Sequence, residues 1–462
     1  MLYRITSGLI ARRGIALGVL LAITAGLGVF AARVGIDNNV GVWFVEGDPT
    51  LASYQRFQDT FGNDEVVAIA AVTDRKGGVW TSEYLNKIRT LTARLEKVEG
   101  VSRVLSVSNA QLLGLHSDGE GGQALGVAPV MPGEVVDADL ARLRTLVETD
   151  PILKDTFVVS EGRVAMVFAQ MAVADKFDSV RPGVLTGIQD VLDDSGLTTH
   201  VAGIGVIYNA LNQIAQVEGA VFMGLAFLLV FALLWPLFRS VPAVLASIGA
   251  VACAVVMTRG LYGLAGRDEN MVTMTLPVLV LILGVADCVH IFRYRASRPD
   301  EDPARVLADI LKPCIFTTLT TMVGFAALAT SKMALVRDLG IFAAAGIGLA
   351  VVSSTVMAAF VMGRPGFRVK PPSKPGEGLM GRFLAWTARF AVGNKETVLG
   401  ITCLVILLAG YGISLIQVDT YSLGYLDESH PVRAASEAME KAAGPFTPLE
   451  ILVRGEKSEA IV

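Results

Sequence analysis

The run from Gly219 to Phe238 holds twenty residues without a single charge. A helix rising about 1.5 Å per residue crosses a hydrocarbon layer roughly 30 Å thick with that many. Six further apolar runs of similar length occur at about 14–32, 241–258, 272–292, 313–330, 339–362 and 397–416, of which only 272–292 contains a charged residue. Such a pattern predicts a membrane helical bundle interrupted by water-soluble segments. Composition agrees: with 53% hydrophobic residues the 462-residue chain is too apolar for one soluble domain, and with 18% charged residues it does not lie in lipid throughout.

Only the fourth run, LPVLVLILGVADCVHIFRY (Leu276 to Tyr294), carries an acid, Asp287. A charge at the centre of a membrane helix costs roughly 2.5–3.5 kcal/mol even on insertion scales, so an acid there is a functional candidate. Gly284, Asp287 and His290 stand three residues apart and share one helix face. The glycine lets a neighbouring helix approach, so this face is expected to point into the bundle. His290 is a second relay candidate, equally explained as a polar residue at the interface. Thr317, Thr318 and Thr321 of the fifth run are candidate contacts for Asp287, against the plainer reading that threonines bond back to their own helix. Gly284 and Gly324 are the candidate helix-packing positions beside the relay.

Arginines at 4, 12 and 13 precede the first run, which is too long for a cleaved signal and reads as an uncleaved span. Arg239, Arg293, Arg295, Arg298, Arg305, Arg364, Arg368, Lys370 and Lys374 all fall on the side that alternation makes cytoplasmic. Residues 34–217 are then external. They alternate strand-like stretches (65–73, 102–107, 163–172, 199–204) with helical ones (82–98, 138–148, 180–194), as an α/β domain does. Tyr84, Ile88, Leu91 and Leu95 form a buried stripe, with Lys87, Arg89 and Arg94 outside it. The glycine-rich segment 114–126 reads as a flexible loop, since no lysine-serine pair follows to make a phosphate cradle. Between the fourth and fifth runs, 302–312 predicts a short helix on the cytoplasmic surface. Arg337 and Asp338 read as a solvated loop pair.

The sequence then begins its own design again. Residues after the seventh run align without a gap to those after the first at an offset of 382, pairing Asp37 with Asp419, Glu46 with Glu428, Pro49 with Pro431, Ala52 with Ala434 and Gly62 with Gly444. A duplication of this size is a transporter-like signature, with a site expected between the halves. The second copy breaks off at Val462, so the expectation is a fragment of a longer chain with five further spans. The parts are 1–33 (cytoplasmic N-terminus and first span), 34–217 (external domain), 218–363 (five-span bundle), 364–396 (cytoplasmic linker), 397–417 (seventh span) and 418–462 (start of a second external domain).

A net charge of -4 gives no basic surface for nucleic acid. Cys253, Cys288, Cys314 and Cys403 all lie in or beside apolar runs, where they read as small packing residues with no disulfide framework. No nucleophile with a base, metal-ligand spacing or nucleotide loop is present, so neither an enzyme nor a cofactor or metal is expected.

One span, a large external domain, five spans and a restart resemble the resistance-nodulation-division (RND) superfamily. GVADCVHIFRYR resembles the fourth-span motif of its MMPL and sterol-sensing branch, and KPCIFTTLTTMVGFAAL with VRDLGIFAAAGIG resembles the fifth and sixth spans of that branch. The resemblance implies a ferredoxin-like periplasmic porter domain inserted into an inner-membrane bundle. It also implies an exporter in which Asp287 relays protons to drive a hydrophobic or lipid-like substrate outward, together with a periplasmic carrier or adaptor protein and homo-oligomers as partners. Two other activities stay open within the superfamily, a lipid-binding regulator without pumping and an accessory subunit of protein translocation. The chain departs from many members in having Cys288 where they have tyrosine, and it ends before the tenth span, where the partner acid is expected.

Overall fold

The computed structural model describes the chain apart from residues 39, 46, 76, 118–122, 151–152, 175–176, 370–377, 417–421 and 445–462. Lys370, Lys374 and Asp419 therefore lie outside the described residues, as does the end of the expected second external domain. Two compact units result, one of Met1–Val34 with Gly219–Tyr421, the other of Gly35–Glu218 with Ser422–Val462.

Among the described residues of the chain, seven helices are long and apolar enough to cross a membrane. They are Arg13–Ala31, Ile204–Phe238, Val241–Leu264, Thr273–Ser297, Pro303–Thr330, Ala334–Met362 and Lys395–Ser414, called spans 1 to 7 below. The second is a 35-residue helix whose first turns belong to the external unit. Between spans 4 and 5 the expected separate surface helix is absent. One helix runs from Pro303 to Ala326 with Pro313 inside it, started by Asp302, whose carboxylate accepts from the Ala304 amide at 3.2 Å. Proline removes one backbone donor, but Val306, Leu307 and Leu311 on its N-terminal side are fully packed into the bundle core. That burial carries the helix through the proline. The expected linker 364–396 likewise contains a helix, Gly378–Gly393, along which Phe383, Trp386 and Phe390 stack at 6.1 and 5.6 Å.

The unit of Gly35–Glu218 and Ser422–Val462, the one expected to be external, is built on strands β1 (Val66–Val72), β2 (Val101–Ser106), β3 (Gln111–Ser117), β4 (Gln123–Pro129), β5 (Val158–Val159), β6 (Val164–Met171) and β7 (Thr198–Ala202). The main sheet runs β2-β6-β1-β7 with every neighbour antiparallel and β5 beside β6. Alternation along the strands divides its side chains between two faces. Val67, Ile69, Ala71, Val104, Val167 and Ala169 face the core that Tyr84, Ile88, Leu91, Leu95 and Ile188 also enter. Ala68, Ala70, Val164 and Met166 belong to the opposite face. The described ends of the glycine-rich segment are strand and not free loop, since β3 and β4 pair in register from Gln111↔Pro129 to Ser117↔Gln123; residues 118–122 between them lie outside the described residues. The expectation failed because glycine weakens the period-two pattern by which strands are recognised.

The two repeated segments have the same local structure. Single-turn helices occupy Val40–Trp43 and Ser422–Tyr425, and thirteen-residue helices occupy Pro49–Phe61 and Pro431–Ala443, at the offset of 382. Asp48 caps the first helix by accepting from the Thr50 amide at 2.8 Å; His430 caps the second by accepting from Val432 at 3.2 Å. Both end on glycines in the left-handed region, Gly62 at φ 88° and Gly444 at φ 86°, where a Cβ is disfavoured. The second helix packs on the sheet of the external unit: Met439 is buried with Ala70 and Ala202, and Ser160 donates to the Ala442 carbonyl at 2.6 Å.

Candidate functional site

Span 4 begins its α-helix at Leu276, with Pro277 in the first turn, where its missing amide costs nothing. Asp287 sits three turns in and is 8% exposed. A Cβ on Gly284, one turn earlier, would stand 3.1 Å from the Ala350 Cβ and 3.4 Å from Val251 Cγ2. Spans 3, 4 and 6 therefore close on each other beside the aspartate through the absence of a side chain.

His290, one turn on, and the thiol of Cys314 on span 5 are the groups within electrostatic reach of Asp287. Cys314 belongs to the inward stripe of the fifth helix, where Leu307, Leu311, Cys314 and Thr318 are buried. Reading all four cysteines as packing residues therefore needs correction. Cys314 lies against the acid, and Cys288 donates from Sγ to Ser354 Oγ at 3.2 Å. The helical period held the signal, because Cys314 stands one turn from Thr318 on the same face.

The threonines divide. Thr317 donates to the Cys314 carbonyl at 2.9 Å and Thr321 to the Thr317 carbonyl at 2.8 Å, and neither is buried. They serve their own helix and do not join the site; Thr318, 7% exposed, is the one that turns inward. His290 is exposed. Gly324 has open space where a Cβ would stand, so it is not the close-packing position expected of it.

On the side that alternation makes external, the loop after span 3 carries a second polar group. Glu269 pairs with Arg259 at 3.0 Å, and burial pushes its carboxyl above the usual range against the pull of Arg259. Asp338 was expected in a solvated pair; it is instead 6% exposed, with its carboxylate 3.8 Å from Arg267. In the external unit, Val66, Leu105 and Phe168 line a cavity of about 330 Å³ together with Arg103 and Gln170. No group of three or more metal-binding side chains occurs among the described residues.

Chemically, then, the bundle buries the Asp287 carboxyl among apolar side chains, thiols and the hydroxyls of Ser247, Thr318, Ser353 and Ser354, while the other buried charges of this unit, Glu269, Arg295 and Asp338, are held elsewhere in it. That set suits loading and unloading of a proton better than nucleophilic chemistry, which needs a base within reach of an activated nucleophile.

The MMPL family model matches residues 44–394 of the chain. A curated protein of Streptomyces coelicolor, provisionally named a membrane protein, is 25% identical over 339 residues. The match covers 69% of this chain and 47% of the relative, so the chain spans about half the length of that protein.

Proposed function

This chain belongs to the MMPL family, a family of membrane transporters, and from that premise we propose that it works as an RND-type exporter. It moves a hydrophobic or lipid-like substrate outward across the bacterial inner membrane, driven by protons passing through Asp287. The observation that carries this reading is the burial of Asp287 at a point where a missing side chain brings three spans together. An intramembrane acid facing the bundle interior marks a proton pathway more often than a structural bond.

Three features add support. The main sheet has the strand order and the helix crossovers of a ferredoxin-like βαββαβ unit, the expected porter domain. The repeated segments share caps, helix lengths and terminal glycines, which favours duplication. The apolar cavity on the sheet suits an aliphatic portion of a substrate.

The test is proton flux into proteoliposomes under an imposed pH gradient, comparing wild type with Asp287→Asn in the full-length protein. Flux in wild type alone is the expected result. Equal flux in both, with co-purified lipid still bound, makes the protein a lipid-binding regulator and ends the pump reading.

A further inference from the structure

The chain leaving span 1 and the helix that becomes span 2 are two of the covalent connections between the unit of the spans and the unit of the sheet. Both connections meet one buried polar network, contained entirely within the external unit.

At its centre is Arg181, 1% exposed. It donates from Nε to Glu65 Oε2 at 2.8 Å and from Nη2 to Glu65 Oε1 at 2.6 Å, a bidentate pair. Its Nη1 donates to Asp178 Oδ1, one helical turn away. The Phe177 ring lies 4.8 Å from the guanidinium carbon. Asp178 completes the network with its remaining valence: Oδ2 accepts from the Asn38 backbone amide at 2.5 Å, and Oδ1 from Asn212 Nδ2 at 3.2 Å. Asn38 Nδ2 donates to Asn212 Oδ1 at 2.7 Å.

The five members come from four pieces of the fold. Asn38 lies seven residues after the helix of span 1 ends, Asn212 is on the unbroken helix that becomes span 2, Asp178 and Arg181 are on helix Phe177–Asp193, and Glu65 immediately precedes the central strand β1. The approach is tight as well: a Cβ on Gly205, in the first turn of the span 2 helix, would come 2.4 Å from Glu65 Oε2. Apolar residues would bury area here with no directional demand. Bidentate guanidinium pairing fixes angle as well as distance, and a network with every arm engaged has one low-energy arrangement.

We propose that Arg181 is a positioning residue of the transport cycle, clamping the segment that leaves span 1 and the helix that enters span 2 to strand β1 through Asp178 and Glu65, so that displacement of these spans is transmitted to the sheet. This rests on the proton-driven reading above. The clamp supplies the rigid connection that reading requires between a proton site in the bundle and a substrate domain outside it.

The experiment uses the full-length protein in vesicles of phosphatidylethanolamine and phosphatidylglycerol, with Cys403→Ser and an environment-sensitive fluorophore on Val136→Cys, an exposed position of the external domain. The readout is the fluorescence change after a pH jump. Arg181→Gln strands two buried acids and is informative only if folded, so the principal variant is Glu65→Met/Arg181→Met/Asp178→Asn. It keeps the volume close, removes the charges, and leaves the Asp178→Asn amide oxygen to accept from the Asn38 backbone amide, one of the two bonds that the carboxylate accepts from Asn38 and Asn212. The expected result is a signal reduced at least fivefold, with the melting temperature of the external domain and the proton flux unchanged. A full signal in this variant, lost in Asp287→Asn, overturns the clamp and leaves the proton reading intact. A full signal in Asp287→Asn overturns the proton reading on which the clamp rests.

Discussion

The thiol of Cys314 on span 5 stands against the carboxylate of Asp287 on span 4. A thiol is a weak donor of small bulk.

Cys314→Val removes the donor and adds about one methyl group of bulk, a change its control shares. A neutral hydrogen bond contributes roughly 0.5–1.5 kcal/mol, so proton flux should fall about three- to tenfold while Cys314→Ser retains most of it. Cys253→Val, buried on span 3, serves as the control. Equal flux in the two valine variants removes Cys314 from the site.

Gly284 and Gly324 should separate cleanly. Gly284→Val forces a side chain into Ala350 and Val251, an overpacking that costs roughly 1–3 kcal/mol, read as lower thermal stability in detergent together with lost flux. Gly324→Ala meets nothing and should be neutral or slightly stabilising, since alanine is the better helix former by about 1 kcal/mol.

Glu269 sets a pH dependence for the external cap of the bundle. Burial raises its folded-state pKa above the ordinary carboxylate value, with Arg259 opposing. The neutral form is therefore bound preferentially by the folded state, and the stability it contributes is full below the ordinary value and is lost as pH rises through the raised one. Thermal unfolding followed in detergent from pH 4 to pH 8 should show a decline in wild type that Glu269→Gln flattens.

Arg181→Met alone should destabilise the domain that holds it by roughly 3–5 kcal/mol, because it leaves the buried Glu65 and Asp178 without a counterion, whereas Glu65→Met/Arg181→Met/Asp178→Asn should cost much less. Chemical denaturation of the two variants side by side measures the difference. Equal losses would mean that packing around Arg181, and not its charge, holds the region together.

Some of this was determined by the sequence alone. Seven apolar runs fixed the number of candidate spans, because hydrocarbon thickness sets helix length without reference to neighbours. The isolation of Asp287 among them followed from the same solvent argument, and the stripe of Tyr84, Ile88, Leu91 and Leu95 from helical period. The tertiary structure decided what depends on partners distant in sequence. It chose Cys314 and Thr318 over Thr317 and Thr321, because rotation about the fifth helix axis is set by packing and not by residue type. It carried a helix through Pro313, since burial of Val306 and Leu311 outweighs one lost backbone bond. It gathered Asn38, Glu65, Asp178, Arg181 and Asn212 into one network. No spacing or motif announced that network, because an ion pair between residues 116 positions apart is written only in the geometry that brings them within reach.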